Sequence, residues 1–153
     1  MLKYIKYYIP AITGIFAIMF FLMGQNYPTY FFISWSLFLI IGDYVLPRDK
    51  EIQQFSYPRF LDFSIYINLP ILFCLIFLIV SIFSNDTPSW YVDGLNSQFN
   101  IDFIQIKESF TLIDKVALIS QTALFVGILG TVPGHELVHR KKNKFDMFIG
   151  NWL

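Results

Sequence analysis

Four long apolar runs leave this chain few folds to choose from. They cover residues 7–24, 30–46, 60–83 and 112–134 of 153, each close to the ~20 residues a helix needs to cross the hydrocarbon of a bilayer. In hydrocarbon every backbone amide must find its partner within the chain, so runs of this length fold as helices and pack side by side. The expected fold is all-α: an integral membrane protein of about four transmembrane helices, forming an incomplete helical bundle over 1–153. Composition agrees, at 56% hydrophobic, 20% aromatic and 14% charged, where soluble domains carry about a quarter charged residues. Lys3 and Lys6 precede the first run, as they would in a signal peptide. That run is longer than the ~7–15 residues of a signal core, and no small-residue cleavage site follows it, so a retained span is expected.

Breaks in the runs carry further expectations. The polar stretch at 25–29 is a turn, with Pro28 suited to open the next helix. Asp43, near the end of the second run, is either a functional acid at membrane depth or a headgroup-level residue. Asn68 and Pro70 interrupt the third run and predict a kink, or alternatively a helical hairpin dipping in from one face. Residues 84–114 are mostly polar, with Trp90 and Tyr91 as interface anchors and 100–110 patterned to lie flat on the membrane. Gly127 and Gly130 in the fourth run would let another helix approach closely. Cys74 is the single cysteine, so no intrachain disulfide forms, and it is expected as a small buried apolar side chain.

The cations orient the runs. Lys3, Lys6, Arg48, Lys50, Arg59, Arg140, Lys141, Lys142 and Lys144 are nine of the eleven Lys and Arg residues. Four spans with a cytoplasmic amino terminus put all nine on the cytoplasmic side, leaving Lys107 and Lys115 opposite, as the positive-inside rule asks. The formal net charge is zero, and no nucleic-acid partner is expected.

At the cytoplasmic mouth of the fourth run lies H-E-x-x-H, with His135, Glu136 and His139; these are the only two histidines in the chain. Spacing of i, i+4 stacks two imidazoles on one helix face, where both offer a ring nitrogen to one metal ion. The plain structural alternative is a pair of interfacial histidines with Glu136 paired to Arg140, also i, i+4. On helices this pattern first points to a zinc protease, with Glu as general base.

The longer stretch GHELVHRKKNKFD at 134–146, followed by Gly150, resembles the first histidine box of the integral-membrane alkane hydroxylases. These are non-haem diiron enzymes related to the fatty acid desaturases, and their box reads H-E-L-[IVG]-H-[RK]. Asp43 with the charged loop after it also resembles that family's early helices. The resemblance implies an alkane 1-monooxygenase-like oxidoreductase of the bacterial inner membrane, using O2 to hydroxylate an alkane or other lipid-like chain. It implies His135 and His139 as iron ligands and Glu136 as a nearby acid that orients a ligand or balances charge. It further implies a rubredoxin-type electron donor, which the cations at 140–144 would attract unless they serve topology alone. The family carries two further histidine boxes downstream, and two histidines do not hold two irons. On this likeness the chain is the amino-terminal part of such an enzyme, expected to be inactive without a carboxy-terminal part. The alternatives are the corresponding part of an intramembrane zinc protease, or a non-catalytic membrane subunit or remnant.

Overall fold

A computed structural model describes residues 2–46, 55–140 and 143–153. It is all-helical, at 84% helix, with no strand among the described residues. After a helical turn over Leu2–Ile5, the main helices are α1 (Lys6–Leu22), α2 (Tyr27–Val45), α3 (Pro58–Phe83) and α6 (Leu112–His139). Two short helices, α4 (Ser89–Phe99) and α5 (Phe103–Ser109), join α3 to α6, and α7 (Lys144–Trp152) follows. Among the described residues three helices, α2, α3 and α6, are long and apolar enough to cross a membrane. The first of the four expected spans, α1, is apolar but shorter, roughly 25 Å at 1.5 Å per residue against ~30 Å of hydrocarbon.

Each break has a local cause. The turn after α1 passes through left-handed backbone at Gly24 (φ +72) and Gln25 (φ 48), and Pro28 sits in the first turn of α2, where its missing N–H costs nothing. In α3 a single turn residue, Ile67, separates Pro58–Tyr66 from Asn68–Phe83. Pro70 has no N–H for the carbonyl of Tyr66, so the helix kinks and then runs on to Phe83. It is a kink and not a hairpin. In α6, Thr111 and Asp114 close a reciprocal capping box. Asp114 is 1% exposed and also accepts the Thr29 hydroxyl at 2.5 Å, which ties the start of α6 to α2. Past Phe125 the helix widens into a π turn, Val126–Thr131, then resumes as Val132–His139. The helix therefore extends beyond 134 and carries the whole H-E-x-x-H.

Phe21 from α1, Leu75 from α3, and Leu118, Phe125 and Leu129 from α6 interlock at the centre. Phe103 joins them with no exposed surface, so 100–110 also packs its leading aromatic into the core. Tyr91 stands edge-on to Phe77 and Phe103, with ring centroids at 4.9 and 5.2 Å. It is a packing residue, while Trp90 remains exposed. Cys74 is exposed on the outer side of α3, because the buried stripe of that helix runs through Leu72, Leu75 and Leu78. The expectation of a buried thiol fails for that reason. Only 6% of the apolar window of α2 is buried, which leaves most of that helix to face the surroundings.

Contacts gather one end of the bundle. The Tyr8 hydroxyl donates to the Phe60 carbonyl at 2.7 Å, and the Tyr57 amide donates to the Tyr4 hydroxyl at 3.0 Å. Arg140 meets Asp62 there at 2.5 Å. The neighbourhoods of Lys6, Arg59 and Arg140 thus share an end. At the other end, the Gln25 amide donates to the Ser109 hydroxyl and Lys107 reaches the Ser84 carbonyl. Arg48, Lys50, Lys141 and Lys142, and the side chain of Lys3, lie outside the described residues.

Candidate metal site

The last α-helical segment of α6 carries Pro133 in its first turn and presents His135 and His139 from successive turns. Their Nε2 atoms are 3.2 Å apart, with ring centroids at 4.6 Å and planes at 82°. Both rings are exposed, as is Glu136, while Gly134 and Leu137 face inward. Neutral imidazoles at that distance share one hydrogen bond, donor to lone pair. With metal–nitrogen bonds of about 2.1 Å, the same separation corresponds to roughly 100° at one ion, adjacent coordination positions. The pair therefore fits two positions on one metal. It does not by itself fit a diiron centre: among the described residues no group of three or more His, Cys, Asp or Glu side chains is placed to hold a metal. Asp43, exposed on α2, does not join the pair.

Glu136 is turned along the helix to Arg140, 2.8 Å away. The i, i+4 ion pair of the plain structural alternative is thus present together with the close imidazole contact. Arg140 also binds Asp62 of α3 at 2.5 Å and lies 3.6 Å from Asp146 of α7. Its hydrogen bonds to the Asp62 and then the Glu136 carboxylate raise the Arg140 pKa further above its ordinary value. Asp146, itself buried, accepts the Tyr66 hydroxyl. One guanidinium thus joins three carboxylates from three helices at the foot of the histidine pair. It is committed within the chain, and Lys144 is the exposed described cation of the 140–144 cluster.

α7 seats against the end of α6 through glycines. A Cβ on Gly150 would stand 2.9 Å from the Gly134 carbonyl and from Leu137, and one on Gly134 would stand 3.1 Å from the Gly150 carbonyl. Gly130 likewise faces the Leu153 carbonyl at 2.7 Å, whereas Gly127 has open space around it. Of the two expected close-approach glycines, Gly130 serves that purpose and Gly127 does not. Asp62 and Tyr66 escaped the sequence reading, since partners 78 and 80 positions apart leave no local signal of contact. Between α1 and α2 an apolar groove of about 460 Å³ opens outward, lined by Phe16, Phe20, Phe31 and Trp35 among others. Comparisons with protein-family models, with curated proteins and with solved structures return no match.

Proposed function

We propose that this chain forms the amino-terminal part of a membrane non-haem diiron monooxygenase that uses O2 to hydroxylate alkanes or similar lipid-like chains. His135 and His139 supply two of the iron ligands, and further ligands come from residues outside those described. Glu136 balances charge beside the ligand pair through Arg140. The observation that carries this proposal is the 3.2 Å approach of the two Nε2 atoms on an exposed face at the end of a long apolar helix. Imidazole is a suitable iron ligand, and apolar helices with an aromatic groove suit a substrate dissolved in the bilayer. Electrons come from a rubredoxin-type donor at the basic end. The rival, a zinc protease, requires the Glu136 carboxylate as base beside the metal, and Arg140 engages that carboxylate.

The test is metal analysis of the full reading frame expressed in membranes. Iron should co-purify, and His135→Ala or His139→Ala should remove most of it. Each substitution should move stability by no more than about 0.5 kcal/mol, because both rings are exposed. Zinc in place of iron, or iron undiminished in both variants, would sink the proposal.

A further inference from the structure

The buried stripe of α6 slips by one residue on its way to the histidines. Leu118, Thr122, Phe125 and Leu129 are buried at helical spacing. An unbroken α-helix, at about 100° per residue, carries that stripe on to positions near 132, 136 and 139. The chain does otherwise: Val132, Glu136 and His139 are exposed, and Gly134 and Leu137 are buried. The π turn Val126–Thr131 lies between the two patterns, with the Val132 amide bonded back five residues to the Gly127 carbonyl. One residue absorbed in a π turn rotates everything after it by about one residue, roughly 100°. Pro133 favours the wide turn, because in a regular helix its ring would strike the Leu129 carbonyl and it would offer that carbonyl no N–H.

The rotation decides where the imidazoles point. His135 and His139 lie two residues either side of Leu137, hence roughly 160° from the buried direction. In the unbroken register Glu136 would take the core position and His139 would sit on its flank. We infer that the π turn Val126–Thr131 is a positioning element that aims the histidine pair away from the core of the bundle, toward the uncovered side. This rests on the proposed function only for what is to be met on that side, the remaining metal ligands. Gly134 inward also sets the seat for α7, so the same turn aligns Arg140 with Asp146.

The test reads orientation without metal. In a Cys74→Ala background, single cysteines at 135, 136, 137 and 139 are labelled in membranes with a polar maleimide. Position 137 should react slower than the other three by about tenfold or more. Deleting Gly127, which has open space around it, removes the absorbed residue and closes the helix, so 137 should stay slow; in a helix with no absorbed residue the same deletion would turn 137 off the core and make it fast. Gly127→Ala keeps the residue count and should keep the original pattern. Fast labelling of 137, in the deleted chain or in the undeleted one, would overturn the inference. Should the deleted chain not accumulate, Pro133→Ala decides at constant residue count: an N–H for the Leu129 carbonyl should let the turn close, making 136 slow and 137 fast, and an unmoved pattern there overturns the inference. An iron-free full-length protein with the expected labelling in all these variants would defeat the proposed function and leave the positioning role standing.

Discussion

Arg140 is the residue on which the foot of the site turns. It meets carboxylates from α3, α6 and α7, and Asp146, 3% exposed, has Arg140 and Tyr66 as its partners among the described residues. Removing one partner from a buried pair leaves a charge without compensation, whereas exposed pairs are worth little. The Arg140 side chain is a third exposed, so Arg140→Met should cost about 1–3 kcal/mol, toward the low end of the buried-pair range. Arg140→Lys should restore only part of that, since one ammonium does not span two acids as a planar fork does. Unfolding in mixed micelles measures both; equal stability of all three proteins would show the network to be neutral. Local spacing made His135, Glu136 and His139 legible, and even the Glu136–Arg140 pair. The partners Asp62 and Tyr66 were not, because only tertiary packing brings them within reach. The burial of Asp114 was hidden likewise: a polar first turn looks the same in sequence whether it faces water or a Thr29 hydroxyl.

Between helices, the glycine seat of α7 on α6 makes the sharpest demand. Gly150→Val would force a branched side chain against the Gly134 carbonyl and the Val138 amide, both 2.9 Å from the added Cβ. Overpacking of that kind costs typically 1–3 kcal/mol, and here the cheapest relief is for α7 to leave. Limited proteolysis should then cut within 143–153, while Gly127→Ala remains as resistant as the parent. Equal resistance of Gly150→Val would mean that α7 is not held by this crossing. The apolar runs fixed the helices to within a few residues, and Pro70 announced its kink. The π turn went unread because hydropathy does not register one added residue. Its signal was the absence of an N–H at Pro133, visible only when each carbonyl is assigned a partner.

Taken whole, the molecule turns large apolar side chains outward. Phe38, Ile40, Ile41 and Leu46 of α2 and its boundary are more than half exposed, as are Leu112 and Ile113 at the start of α6. Monomers stable in water seldom show apolar patches beyond a few hundred Å². The chain should therefore stay with the membrane pellet through an alkaline wash, and leave it only in detergent. Recovery in the wash supernatant would defeat the transmembrane interpretation. Reporter fusions at Gln98 and at the chain's carboxy end should fall on opposite sides, the latter cytoplasmic; both on one side would overturn the topology.

The guanidinium that joins α3, α6 and α7 also imposes an order on assembly. Asp62 and Asp146 are 84 positions apart in the sequence (146 minus 62). At ribosomal rates of about 5–20 residues per second, roughly 4–17 s separate their synthesis. Until Arg140 follows, 78 positions after Asp62, the acid of α3 waits near the start of its helix for a cation not yet made. The imidazole pair can be translated and helical before then, but its base is not clamped until Asp146 has emerged and α7 has folded back. A nascent chain arrested before that point would carry both histidines on a helix end still free to turn.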